Sequence, residues 1–471
     1  MKIRLVDTPL TIPRYRQIRL PTVAAEFSPY AEIEINDENI EPIDESPVDL
    51  VGFTAQAYNA PRAIHLSEKF RAKGIKTIVG GPYATAVGEE ALKYFDAVVV
   101  GEVEGLGEQI INDLSRGKLN GIYRLEEPPR DWGKRLPLRN LQKSDNYYWF
   151  NYPIELTRGC PHRCSFCFGP YAFPTVRTGS LDSIGRQIEQ WDHGLVEVVD
   201  LNFAADRVFL IEVCRLFEQM KVGGWIGEAT LRSLDDAEVL DWLARSNCKA
   251  VFVGIESIDE GTLKSINKRF NQVSEYRRII NNIQDHGIFV HGGIMWGLGG
   301  QTHESVDATF EFCEKIHLYL TSNNILTYFP GTKEYRKARE QGKLLTEDAR
   351  KFDSVHVTVE PDDNSVEEVY QGAKRFINKF YSYRSIYKRS VQTPNSDRWI
   401  LVNYWAWNLI YRSYYKKWIR RLGSNYIPWP ASRAEKKSFP HTGGPMPIYY
   451  AIGDRLLRYL HRWFLARELA P

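Results

Sequence analysis

Cys160, Cys164 and Cys167 lie within eight residues, in the run Arg158-Gly159-Cys160-Pro161-His162-Arg163-Cys164-Ser165-Phe166-Cys167. The spacing is C-x3-C-x2-C, directly after the apolar stretch PIELT (153–157). Thiolates are soft ligands suited to iron–sulfur clusters. Three of them on one short loop can wrap a corner of a cubane and leave the fourth iron without a protein ligand. An open metal position is what a catalytic site requires. Two blander readings stand beside this one: chance, and a zinc knuckle with His162 completing a Cys3His set. His162 sits between the first two cysteines, where one small ion could hardly take all four donors. Cys214, Cys248 and Cys313 fall in apolar stretches and read as small buried hydrophobes.

The elements that must position this loop follow from residue 151. Strand-like runs recur at 153–157, 196–201, 225–230, 249–256, 289–296 and 318–326, separated by helical spacing over 181–193, 208–220, 235–245, 273–286 and 304–316. Six βα units imply a partial or full (β/α) barrel, whose chemistry sits at the C-terminal ends of its strands. Polar residues cluster there: Asp200 and Asn202; Glu228, Thr230 and Arg232; and Glu256. For each, a helix N-cap or a surface ion pair is an equal alternative. Asp206 is a weaker substrate-facing candidate. HGGIMWGLGGQT places Gly292 and Gly293 on the fifth of these strands and Gly297 just after it.

Residues 1–118 alternate apolar strands (KIRLV, VDLVGF, KTIVGG, AVVVGE) with helical segments at 60–74 and 88–95, which predicts a doubly wound, Rossmann-like α/β domain. Residues 119–150, with Pro128, Pro129 and Pro137 and little periodicity, read as a linker. The barrel is then assigned to 151–335 and a mostly helical region to 336–471. Residues 365–420 interleave Tyr and Trp with Lys and Arg, with a break near Pro394. The stretch 422–447 is rich in Gly and Pro, and 449–467 reads as a last amphipathic helix. Three uses of the aromatic–basic helices are open: capping the barrel, resting on a membrane surface, or lining a pocket for a large hydrophobic substrate.

The cysteine segment resembles the signature of the radical S-adenosylmethionine (SAM) superfamily, with Phe166 as the aromatic residue before the last cysteine. The resemblance implies a [4Fe–4S] cluster on Cys160, Cys164 and Cys167, with SAM on the open iron. One-electron cleavage then yields a 5′-deoxyadenosyl radical that abstracts hydrogen from an unactivated carbon. It further implies that the backbone at Phe166 touches adenine, that Gly293 lies along it, and that Glu228, Arg232 and Glu256 hold polar groups of SAM. A low-potential electron donor such as ferredoxin or flavodoxin is implied as a partner.

VDLVGFTAQ, APRAIHLSEKFRAKGIKTIVGGPYATA and DAVVVGEVEG together resemble the cobalamin-binding domain that precedes the barrel in one subgroup. Gly80 and Gly81 match its strand-ending glycine pair, and Thr54 its earlier cofactor-facing loop. FPGTKEYRKAREQGKLL (329–345) resembles that subgroup's junction between barrel and tail. The Asp-x-His-x-x-Gly motif that supplies a lower cobalt ligand is absent, and His65 falls on a helix. Cobalamin-dependent C-methylation is the leading expectation. Cobalamin-independent oxidation, cyclisation or rearrangement is the alternative.

Bulk properties fit this reading. The chain has 471 residues, 43% hydrophobic and 25% charged, which suits two or three globular domains. A net charge of +2 gives no electrostatic case for nucleic acid. MKIRLVDTPL reads as a first strand rather than a signal peptide, and six scattered or clustered cysteines suit a reducing cytoplasm better than a disulfide framework. A methylthiotransferase would carry three further cysteines in its first domain, where this chain has none. A non-catalytic iron–sulfur carrier would close all four iron positions.

Overall fold

The computed structural model describes residues 1–9, 15–129, 132–143, 147, 151–191, 194–391 and 398–423. The expected helix at 449–467 and the break near Pro394 lie outside them.

Apolar runs of five or six residues, buried on both faces, build a parallel sheet. Its strands are β1 (Lys2–Asp7), β2 (Glu32–Asp37), β3 (Leu50–Thr54), β4 (Lys76–Gly80), β5 (Ala97–Val99) and β6 (Gly121–Tyr123), ordered β2-β1-β3-β4-β5-β6. Ile3, Leu5, Phe27 and Ile110 fill one face; Val6, Val51, Phe53 and Phe70 fill the other. The order reverses between β1 and β3, so the crevice beyond their C-terminal ends is the binding edge of such a sheet. Two strands escape the sequence reading. In β2, EIEIND, charged residues alternate with apolar ones. β6 is a three-residue edge strand inside the stretch read as a linker. The segment 88–95 is not an α-helix but a 3-10 turn over Gly88–Lys93.

The second unit starts with β7 (Asn151–Ile154). A short antiparallel hairpin follows, β8 (Thr157–Arg158) with β9 (Arg177–Thr178). Then come β10 (Leu195–Val198), β11 (Trp225–Ala229), β12 (Cys248–Glu256), β13 (Phe289–Trp296) and β14 (Leu320–Ile325). The main sheet is parallel, in the order β14-β13-β12-β11-β10-β7, an open six-stranded barrel. Val251, Val253 and Ile255 pack outward on the helices. By strand alternation Phe252, Gly254 and Glu256 face the lumen. Asp206 is the N-cap of helix Arg207–Gln219, accepting from Phe209 N–H at 3.0 Å, so it is spent on the fold rather than on substrate.

An open barrel leaves unpaired backbone groups on its two edge strands. At β14 the C-terminal helices cover them. Tyr415 Oη accepts from Asn323 N–H at 2.8 Å, Tyr381 Oη donates to Thr321 C=O at 2.8 Å, and buried Arg389 donates to Leu318 C=O at 2.8 Å. Tyr319, Tyr381, Tyr404 and Tyr415 are each at most 5% exposed. The described part of the aromatic–basic region therefore caps the barrel. At β7 the segment read as a linker does the same work. Arg139 donates to Pro153 C=O at 2.6 Å and stacks 4.3 Å from the Tyr152 ring, and Gln142 donates to Gln17 C=O at 2.9 Å. Among the described residues no helix is long and apolar enough to cross a membrane.

Candidate active site

The hairpin β8–β9 delivers the cysteine loop. Gly159 has φ +95, and a Cβ there would lie 2.2 Å from the Thr175 carbonyl oxygen, so glycine is required where the chain turns into Cys160. Behind the loop, Asp200 is 3% exposed and accepts from Leu156 N–H (2.9 Å), Thr157 N–H (2.6 Å) and Thr157 Oγ1–H (2.8 Å). Burial pushes its carboxyl up to about 7 despite these donors. Asp200 thus fixes the strand end that carries the cysteines. Asn202 accepts from Thr230 N–H at 3.4 Å and ties the next strand end in the same way.

All three cysteines are free and half-buried. Burial raises Cys164 to about 12 and also raises Cys167, so loading soft metal there must displace protons. Among the described residues no three His, Cys, Asp or Glu side chains converge as a single ion demands. His162 is instead stacked on Phe270, ring centroids 3.6 Å apart. Three thiols spread round one loop fit the corner of a larger cluster, and Cys160, Cys164 and Cys167 are the residues that would hold it.

Glu256, at φ +61, is not free. Its Oε1 lies 2.8 Å from Lys268 Nζ, and both side chains are at most 10% exposed. A Cβ at Gly254 would lie 2.3 Å from Glu256 Oε1 and 2.5 Å from Lys268 Nζ, so the glycine makes room for the pair. Lys268 Nζ also sits 6.0 Å from the Phe166 ring centroid. Burial pulls the ammonium down, but Glu256 and Cys164 outweigh it and hold its pKa above the ordinary value. Glu256 therefore meets the site as half of an ion pair. Lys268 gave no sequence signal, because it lies twelve residues beyond Glu256, outside any strand end.

Glu228 keeps water-accessible surface although protein surrounds it on all sides, as a side chain facing the lumen does. Burial first, then the charges of Glu197 and Glu256, raise its carboxyl to about 7. Glu197, one strand over, accepts from the Tyr15 hydroxyl and from Asn151 Nδ2–H (3.1 Å). On β13, His291 lies 2.9 Å from Ser322 Oγ, and burial holds it neutral with a pKa near 3. Gly293 pairs with Gly254 across the lumen face, and a Cβ there would lie 2.9 Å from the Phe252 ring, leaving a strip without side chains. Gly292 packs outward against Leu318. Arg232 does not join this group. It is 69% exposed, with Asp235 at 3.6 Å, on an outer groove shared with Phe270.

At the edge of the first sheet, Gly81 has φ +90, and a Cβ there would lie 3.0 Å from Thr54 Oγ1 and 3.1 Å from the Ala55 carbonyl. Gly80 is under no such constraint: a Cβ there would meet only Val99, at 3.7 Å. Glu102, beyond β5, binds the cysteine hairpin: Arg158 Nη1 donates to its Oε2 at 2.5 Å, and Arg177 binds its other oxygen. The Arg158 guanidinium lies 4.5 Å from the Trp132 ring centroid. The two units therefore meet at the strand-end edge of one and the cysteine loop of the other.

The sequence model of the radical SAM superfamily matches residues 154–313. Over those residues the chain carries a radical SAM domain. It is 25% identical over 401 residues to bacteriochlorophyllide d C-12(1)-methyltransferase of Chlorobaculum tepidum, covering 82% of this chain and 86% of the relative. It is 28% identical over 286 residues to hopanoid C-2 methylase of Rhodopseudomonas palustris, covering 58% of this chain and 54% of that one. Among solved structures, TsrM of Kitasatospora setae, a radical SAM methyltransferase with cobalamin and a [4Fe–4S] cluster bound, superposes with a TM-score of 0.61 at 18% identity, over 73% of this chain and 78% of its own. At that identity the likeness speaks for the fold. In this radical SAM enzyme, Phe166 lies beside Lys268 and Gly293 beside Gly254, while Arg232 stands outside the group.

Proposed function

We propose that this radical SAM enzyme is a cobalamin-dependent C-methylase acting on a small, largely apolar molecule. The observation that carries the reading is the contact of Glu102 with Arg158, which turns the strand-end edge of the first sheet toward the cysteine loop. A second cofactor on that edge would stand across from the cluster. The edge carries Thr54, Ala55 and Gly81, and His65 sits half-buried on helix Ala60–Ala72 rather than among them. This suits a corrinoid held by shape and backbone, without a protein imidazole among the described residues. Relatives that share more than three quarters of the chain are methyltransferases.

When bound, the cluster supplies the electron that cleaves SAM and yields the 5′-deoxyadenosyl radical. The chain's own residues hold the parts. Asp200 fixes the loop, Gly159 lets it turn, and Lys268–Glu256 presents a paired charge beside it. Tyr171, Val199 and Leu201, each 37–39% exposed, offer apolar surface, and Leu201 lies close beside Gly169 and Cys167. An apolar wall next to the reacting group suits an apolar substrate and excludes water. An external one-electron donor of the ferredoxin or flavodoxin class must reduce the cluster.

The test is anaerobic purification, reconstitution with iron, sulfide and hydroxocobalamin, and the absorption spectrum, followed by reduction with SAM and chromatography for 5′-deoxyadenosine. Iron–sulfur absorption, co-eluting corrin bands and deoxyadenosine that is lost in Cys164→Ala support the proposal. Deoxyadenosine without corrin overturns the cobalamin part and leaves oxidation or rearrangement.

A further inference from the structure

The contact between the units is more than a point of attachment. Glu102 is 7% exposed and lies between two guanidiniums, Arg158 at 6% and Arg177 at 12%. These arginines face one another across the β8–β9 hairpin. Arg158 is two residues before Cys160, and the hairpin cannot slide, because Gly159 is already packed on the Thr175 carbonyl. In the other direction, Gly101 N–H donates to Thr85 Oγ1 at 3.1 Å. Thr85 lies on helix Pro82–Val87, whose N-cap is Gly81, the residue in contact with Thr54 at the sheet edge. The same helix is pressed on the barrel's exit: a Cβ at Gly331 would lie 2.6 Å from Ala86 Cβ. A continuous chain of short contacts thus runs from Gly81 through Thr85, Gly101 and Glu102 to Arg158 and the first cysteine.

We propose that Glu102 is a positioning residue that transmits occupancy of the Thr54–Gly81 edge to the cysteine loop, so that a cofactor bound on the first domain stiffens the loop that holds the cluster. This rests on the reading of that edge as a corrinoid site. A carboxylate bridging two buried guanidiniums suits the role. Its two oxygens fix both strands of the hairpin at once, and its removal takes the carboxylate from largely buried Arg177, while Arg158 keeps Glu104 and Glu155. Glu104, which reaches only Arg158 at 2.7 Å, holds one strand and lacks the bridge.

Hydrogen exchange read by mass spectrometry, on the iron-loaded full chain with and without hydroxocobalamin, tests the relay. In the wild type, hydroxocobalamin slows exchange both at 81–87 and at 157–167, the latter by about tenfold, as a closed local opening does. In Glu102→Gln the ligand still protects 81–87 but no longer protects 157–167, and Glu102→Asp, which keeps the charge, recovers part of the effect. Protection of 157–167 that persists in Glu102→Gln overturns the relay, since the ligand then shields the loop directly. Protection of 81–87 alone in the wild type also overturns it. If the wild type shows no corrin absorption and no protection at either segment, the cofactor reading has failed instead. The clamp is then judged without ligand: faster exchange at 157–167 in Glu102→Gln than in the wild type upholds it, and equal exchange ends it.

Discussion

Lys268 Nζ and Glu256 Oε1 meet at 2.8 Å beside the cysteine loop, with both side chains nearly out of water. Buried ion pairs are costly to half-remove, because the remaining charge has no solvent to turn to. Lys268→Met is expected to destabilise the protein by about 3–5 kcal/mol. The double variant Lys268→Met/Glu256→Gln is expected to recover much of that loss. Thermal melts of the four proteins of this cycle check the prediction.

Gly159→Ala should abolish cluster loading while leaving the fold. The added methyl would meet the Thr175 carbonyl at 2.2 Å, and φ +95 is a conformation that alanine resists. Iron content after reconstitution is expected to fall to background, with the far-ultraviolet circular dichroism unchanged.

Tyr415→Phe removes the hydroxyl that accepts from Asn323 N–H on the edge strand β14. A buried N–H left unpaired costs about 1–3 kcal/mol. The melting temperature is expected to drop, with iron content and deoxyadenosine formation retained below the melt. A loss of activity at full stability would contradict a purely edge-capping role.

Glu228 gives a pH signature. Its folded pKa of about 7 lies above the roughly 4.3 of an unfolded glutamate. The folded state therefore holds a proton that the unfolded chain has released. Its contribution to stability is complete below the unfolded value and is lost as pH rises toward 7. Glu228→Gln lacks this titration. The melting temperature of the variant relative to the wild type is expected to rise steadily between about pH 4 and pH 7, which melts across that range will show.

Sequence alone determined what local chemistry dictates. The C-x3-C-x2-C spacing marked out the loop expected to hold metal, because donors that close in the chain must act together. The apolar runs of 249–256 and 289–296 became β12 and β13, because strands buried in a parallel sheet need little more than a continuous apolar run. The roles of polar residues at strand ends were decided by the tertiary structure. Asp200 and Asp206 share a type and a neighbourhood with candidate ligands, yet one ties the cysteine strand and the other caps a helix. Glu256 was found by its place at the C-terminal end of β12, but its partner Lys268 comes from a later turn, and only folding brings the two charges together. The stretch 119–150 lacked periodicity because its work is to cover edges through β6 and Arg139, and edge contacts need no repeating pattern. The bridge from Glu102 to Arg158 and Arg177 joins residues more than fifty positions apart. Its value lies in burial and mutual geometry, which no spacing along the chain encodes.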